Sequence, residues 1–209
     1  SRERKSTGYG ELNSHGQDSW VLKQRSLDWI TRDEMGYAAA LYQPLFELSE
    51  RKEFQRFIFR ASGDDNFPAI NDGYHDESTH LRDEYVHTLA KEGHMKLDVR
   101  SPERVIVYLN GQYWGVYAIR ERPDDHDYTD FFYKQDKYDL QYLQTWQSSW
   151  AEYGGEQAKD DWSELRDFAL SKDLFVDSNY IHIADNIDLV SLSDYMIMNI
   201  NVVEIDWLN

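Results

Sequence analysis

Hydrophobic positions are densest and best patterned from Arg104 to Glu121, RVIVYLNGQYWGVYAIRE, where two runs of Val, Ile, Tyr and Trp flank Asn110-Gly111. Strands favour β-branched and aromatic residues, and Asn-Gly supplies the two positive φ values of a two-residue type I′ turn. The pattern predicts a hairpin with Leu109 opposite Gln112, Val107 opposite Trp114 and Val105 opposite Val116 on one face. Tyr108 opposite Tyr113 and Ile106 opposite Gly115 make up the other. Both faces are largely apolar, so the hairpin is expected inside a sheet covered on both sides. Gly115 leaves a gap beside Ile106, the mark of a bulge, a packing accommodation, or close approach by a ligand or another backbone.

Weaker patterns extend in both directions. Residues 1–13 are polar and read as a lead-in. Gly16-Gln17-Asp18-Ser19-Trp20 reads as a turn, and the alternation from Val21 to Ile30 as a strand with mixed faces. Tyr37 to Leu48 looks helical until Pro44 interrupts it. Phe54 to Gly63 reads as a strand with Phe57 and Phe59 on one side and Ile58 and Arg60 on the other. Asp76 to Gly93 predicts a helix capped by Asp76 or Ser78, stopped by Gly93, with Leu81, Tyr85, Val86, Leu89 and Ala90 as its inward stripe. After the hairpin, Tyr138 to Trp146 suggests a short strand and Asp160 to Ser171 a helix behind an aspartate cap. A last helix, Asp188 to Val203, contains YMIMNINVV, apolar nearly all round and therefore expected to be buried. Antiparallel strands and helices in separate stretches make the class α+β.

Composition narrows the functions. The 209 residues suffice for one large domain or two lobes, and a formal charge of -17 disfavours nucleic acid or an anionic membrane surface as partner. Cations, basic proteins or metal-complexed phosphates suit it better. No cysteine is present, which excludes disulfides and thiolate metal sites. No apolar run approaches the ~20 residues of a membrane span. The first residue is not an initiator methionine and the last follow an apolar run without a stop signal, so the protein is expected to extend further at both ends.

Several residues carry candidate chemistry. The turn holding Gly16 and Ser19 can offer backbone N–H groups to phosphate, with Arg25 nearby as a cationic ligand; an ordinary β-turn is the competing reading. Arg60, at a strand end before a loop, suits a phosphate or a surface ion pair. Arg82, at the edge of the helical stripe, can reach a sheet or a cleft. His80, His87 and His94 recur at i, i+7, about two helical turns apart and too far for one ion. Asp124-Asp125-His126-Asp127 reads as a solvated acidic loop, with cation binding as the alternative. Asp206, delivered by an apolar helix, is either a base or metal ligand or a solvated carboxylate at a helix end.

Five ordered segments together resemble the CotH kinase family of atypical kinases: Gly16–Trp20 with Lys23–Ser26; FIFRASG, Phe57–Gly63; His80–Glu84; NGQYWGVY, Asn110–Tyr117, with Glu121; and Asn201–Trp207. The resemblance implies an atypical protein-kinase-like fold: an antiparallel-sheet N-lobe over 14–122 with a packed helix, and the start of a helical C-lobe over 123–209. It also implies ATP, Mg²⁺, and transfer of the γ-phosphoryl group to Ser or Thr of a protein, with a secreted or surface location in a bacterium. The Gly16 and Ser19 turn would cover phosphates, Arg25 or Arg60 would bind them, and Arg82 would mark the helix packed on the sheet. Glu121 would lie where the adenine edge is read, and Asp206 would be the catalytic base or the metal-positioning carboxylate. His15 and Arg25 depart from the family's usual Arg and Lys, and the family's further downstream Asp-containing motif is absent because the chain stops. A kinase-like scaffold without transfer chemistry is therefore the second reading, and a carbohydrate-binding domain, suggested by abundant Trp, Tyr and Asp, the third.

Overall fold

The computed structural model describes residues 6–16, 18–36, 38–67, 78–136, 138–146 and 148–204. The chain forms two compact units, Ser1–Glu92 with Asp98–Phe132, and Gly93–Leu97 with Tyr133–Asn209. Mixed helices and antiparallel sheets give the α+β class.

In the first unit, β1 (Gly10–His15), β2 (Ser26–Thr31), β5 (Arg56–Arg60), β6 (Pro102–Leu109) and β7 (Gln112–Arg120) form an antiparallel sheet in the order β1-β2-β5-β7-β6. Between β2 and β5, β3 (Leu41–Tyr42) and β4 (Glu53–Phe54) make a short ribbon. Helix α1 is Arg82–Glu92 and α2 is His126–Tyr133. Strand pairing aligns Phe59 with Ile119, and Ile58 with Arg120. Because neighbours along a strand point to opposite faces, Phe57, Phe59 and Ile119 share one face, which packs with Phe46 and Phe54 into the core. Burying these large apolar groups stabilises the unit by roughly 1.5–3 kcal/mol each.

The hairpin forms at Asn110-Gly111, with Leu109 opposite Gln112 and Tyr108 opposite Tyr113 as the alternation predicts. Beyond that pair the register shifts: Val107 faces Gly115, Ile106 faces Val116 and Val105 faces Tyr117. Trp114 is the extra residue of a bulge, and Gly115 adopts φ +153° beside it, which side-chain-bearing residues seldom do. A Cβ on Gly115 would lie 3.0 Å from Gln24 Nε2, so the gap is filled by an amide of this chain. The sheet is not covered throughout. Strand β6 is its edge, and Ile106, Tyr108, Tyr113 and Trp114 near the hairpin tip are exposed.

Other expectations change for local reasons. Residues 18–21 wind into a 3-10 turn and β2 begins only at Ser26, so Arg25 precedes the strand. Of the segment expected to be helical from Tyr37, residues 38–48 hold the short strand β3 and no helix, since Pro44 denies one an interior N–H. Strand β1 takes in residues 10–13 of the expected lead-in. Helix α1 starts at Arg82; the expected Asp76 cap lies outside the described residues, and the Asp65 carboxylate accepts the backbone N–H of Thr79, Leu81 and Arg82. Its inward face is turned from the expected stripe: Ala90 is buried and Val86 and Leu89 are half-buried, but Leu81 and Tyr85 are 55% and 65% exposed and Glu84 is buried, because the sheet offers this helix arginines.

In the second unit β8 (Tyr142–Trp146) and β9 (Ser148–Tyr153) form a hairpin, followed by α3 (Gly155–Ser171), α4 (Asp177–Asn186) and α5 (Leu189–Asn201). Helix α3 starts behind Gly154 at φ +86°, a turn before the expected Asp160 cap. Asp188 caps α5 by accepting the Ser191 N–H at 3.1 Å. That helix was expected to be buried, yet of its residues only Met198 is; Val190, Ile197 and Ile200 are exposed.

Candidate functional site

The sheet face opposite the aromatic core is ionic. Strand register puts Asp28 opposite Ile58, and both Arg60 and Arg104 opposite Ala118, on the same face as Arg120. Helix α1 brings Asp83 and Glu84 onto it. Asp83 Oδ2 accepts from Arg60 Nε at 2.8 Å and from Arg120 Nη1 at 2.8 Å. One carboxylate thus ties the helix to two strands. Burial alone would raise the Asp83 pKa, but Arg120 and Arg60 outweigh it and hold the group well below the carboxylate range. Arg120 is 2% exposed, and burial pulls its guanidinium down to about 9 against the support of Asp83. Beside this pair, Arg104 donates to Glu84 Oε2 at 3.2 Å.

A second group continues the face past the end of β7. Arg122 Nη1 donates to Asp28 Oδ2 at 2.8 Å, and its Nε to Asp124 Oδ1 at 2.9 Å. Arg56 donates to the same Asp28 oxygen. Asp124 and Asp125, expected in a solvated loop, are instead buried at 5% exposure each. The correction follows from Arg122, whose guanidinium compensates Asp124 and lowers its pKa despite burial.

The turn after β1 adjoins this arginine face. Burial first, then the charges of Arg122, Arg60, Arg100 and Arg120, pull the His15 pKa down to about 3. Gly16 follows at φ +96°, and a Cβ there would lie 2.6 Å from Ser19 Oγ. The Trp20 indole N–H closes the turn by donating to the His15 carbonyl at 2.8 Å and the Ser26 carbonyl at 3.2 Å. Arg25 stacks over the Trp20 ring at 5.2 Å. Gln24 Nε2 donates to the Val116 carbonyl at 2.8 Å, fixing the turn to the hairpin.

Of the residues singled out from the sequence, Gly16, Ser19 and Arg25 share this turn, and Arg60 lies on the ionic face that His15 adjoins. Arg82 stands apart, 55% exposed in its side chain, with Nε 3.4 Å from Asp65 Oδ1. Glu121 points away from Arg120, into the interior, where Ser49 Oγ donates to its Oε1 at 3.2 Å and Arg51 lies 4.0 Å away. Burial raises its pKa. Asp206 lies outside the described residues. Asp83, Arg120, Arg122 and Asp28 were not singled out as candidates from the sequence: Asp28 and Arg120 come from two strands, Asp83 from α1 and Arg122 from beyond β7, and only the fold brings them together.

A family model described as CotH kinase protein matches residues 12–209. The chain belongs to the CotH kinase family. No curated protein and no solved structure matches it. Membership implies a kinase-like fold, and in general the use of ATP and a divalent metal. The Gly16 turn lies near the guanidinium groups of Arg60, Arg100, Arg120 and Arg122, donors of the type a polyphosphate takes, with Arg60 and Arg120 engaged by Asp83 and Arg122 by Asp28 and Asp124. For a metal, the one cluster of three ligand-type residues among the described ones is Asp125, His126 and Asp127, with ligand atoms within 4.8 Å. Asp125 Oδ1 already accepts the Asp127 N–H at 3.2 Å, and no metal step is assigned to this cluster. No helix among the described residues is long and apolar enough to cross a membrane.

Proposed function

We propose that this CotH kinase chain binds ATP and transfers its γ-phosphoryl group to Ser or Thr hydroxyls of a protein substrate. The observation that carries the reading is Asp83 clamping Arg60 and Arg120, which holds α1 on the sheet beside the glycine turn. Phosphoryl transfer needs placement and charge neutralisation more than covalent chemistry by the protein, and an arginine face next to a turn of backbone N–H groups supplies both. Arg60, and Arg25 or its backbone, orient the phosphates, and Gly16 with Ser19 lies over them. Asp206 takes the proton of the attacking hydroxyl while ADP leaves with the bridging oxygen. Mg²⁺, when bound, adds charge neutralisation on the phosphate oxygens. An acidic chain favours a basic acceptor, and the reading includes a secreted or cell- or spore-surface setting in a bacterium.

Calorimetric titration with Mg-ATP, and γ-phosphate transfer to a Ser/Thr protein mixture, test the reading. Binding and transfer, both lost in Arg60→Ala, and transfer alone lost in Asp206→Asn, are expected; an intact protein that neither binds nor transfers overturns it. One observation favours the alternative of a scaffold without transfer chemistry. Glu121 is spent on Ser49 and Arg51 inside the fold, and Arg60 on Asp83. Under that reading Asp206→Asn leaves function untouched.

A further inference from the structure

Helix α1 borders a groove of about 490 Å³, lined by Thr79, Leu81, Arg82, Glu84, Tyr85 and Thr88 and within the size range of ligand pockets. Helical spacing explains the set, since residues 81, 84, 85 and 88 recur at i, i+3, i+4 and i+7 and share one face. Leu81 and Tyr85 are its apolar surface, and each is more than half exposed. A partner that covered them would recover the hydrophobic burial they forgo in water.

Exposure by itself names no partner, but Glu84 does. It lines the groove with a side chain only 9% exposed, at the edge where the outer face of α1 turns in toward the sheet. Its Oε2 accepts from Arg104 of β6 at 3.2 Å, which compensates the charge. Its Oε1 is buried and has no hydrogen-bond partner among the described residues. A buried acceptor in that state costs free energy until a donor reaches it. Burial also raises the Glu84 pKa, in keeping with a carboxylate that its surroundings serve on one oxygen only. Because Arg104 already supplies the positive charge, the site calls for a neutral donor on an apolar body. Indole is such a group, a flat apolar ring with one N–H and no acceptor atom to repel a carboxylate. Sites for free small molecules enclose about 70–90% of the ligand surface, which a groove with walls as exposed as Leu81 and Tyr85 does not do. A polypeptide adds contacts along the helix and makes up the difference.

We propose that this groove docks a tryptophan side chain of a separate polypeptide, with its ring over Leu81 and Tyr85 and its indole N–H donated to Glu84 Oε1. The helix held in this way is the one whose Asp83 joins Arg60 and Arg120, so the partner grips the element that covers the ionic face. The docking does not depend on phosphoryl transfer.

The test is a titration of the isotope-labelled full chain, without nucleotide, followed by amide NMR shifts. N-acetyl-tryptophanamide should shift the amides of residues 81–88, and its benzothienyl analogue, in which sulfur replaces the N–H, should bind at least about threefold more weakly. Glu84→Leu should abolish that difference, and Glu84→Gln, which keeps the shape in case the leucine variant fails to fold, should reduce it. Leu81→Ser, at a position already exposed, should weaken both probes by at least about threefold and leave the circular dichroism spectrum unchanged. The tightest of a set of Trp-centred nonapeptides with varied flanks should bind at least about tenfold better than N-acetyl-tryptophanamide. Unshifted amides over 81–88, equal affinity of the two ring analogues, or no effect of Leu81→Ser overturns the proposal. Peptides no tighter than the amide overturn it too, by making the groove a small-molecule site. So does a dimer in sedimentation that Leu81→Ser dissociates, since the occupant is then a second copy of this chain.

Discussion

Replacing Asp83 by Asn should be among the most damaging single changes to the first unit. Asp83 is the shared acceptor of Arg60 and Arg120, both at 2.8 Å. Arg120 is 2% exposed and its Nε already has no hydrogen-bond partner, so water cannot take over when the carboxylate goes. Removing one partner of a fully buried pair costs about 3–5 kcal/mol; the Asp83 side chain is itself 33% exposed, which lowers the cost here to about 2–3 kcal/mol. Arg60 adds little, because its side chain is 23% exposed and a pair of that kind is worth about 1 kcal/mol or less. Urea unfolding followed by far-UV circular dichroism should show a loss of about 2–3 kcal/mol in Asp83→Asn. Arg120→Met removes the stranded charge, so the double variant should recover at least about 2 kcal/mol over additivity. Additive effects within about 0.5 kcal/mol, or a loss below about 1 kcal/mol in the single variant, would refute the argument that a buried charge is what Asp83 holds in place.

Three further outcomes follow from the same geometry. His87 is pulled down to about 4 by burial and then by Arg120, against a free value of 6.5, so the unfolded chain binds the proton more readily between those values. Stability should therefore fall by roughly 2 kcal/mol as pH drops from 7 to 4.5, and His87→Gln should flatten that slope in urea titrations at each pH. Gly115→Val should cost about 1–3 kcal/mol, because valine is strained at φ +153° and its Cβ presses on Gln24; a thermal melt matching the parent sinks the bulge account. Glu121→Gln should leave ATP affinity within about twofold, since the carboxylate lies inside with Ser49 and Arg51; a large loss in calorimetry would return Glu121 to the adenine edge.

Local chemistry was legible in the sequence wherever neighbours in the chain decide it. Asn110-Gly111 sets its own turn, the Phe57 and Phe59 face alternates within one strand, and the segments from Gly16 to Trp207 already pointed to the family that matches residues 12–209. Tertiary structure decided which charges are compensated. Leu81 and Tyr85 look like part of an inward stripe until Arg60 and Arg120 of the sheet are seen to draw in the opposite face of the helix through Asp83. Asp124 reads as solvated until Arg122, itself shared with Asp28 from another strand, covers it. The register beyond Tyr108 likewise depended on Gln24, far away in the chain, reaching into the bulge at Gly115. Apolar periodicity says only that one side of an element prefers to leave water. Which side does so is set by the sum of what the facing elements offer, and a buried carboxylate is tolerated only where folding delivers a guanidinium to it.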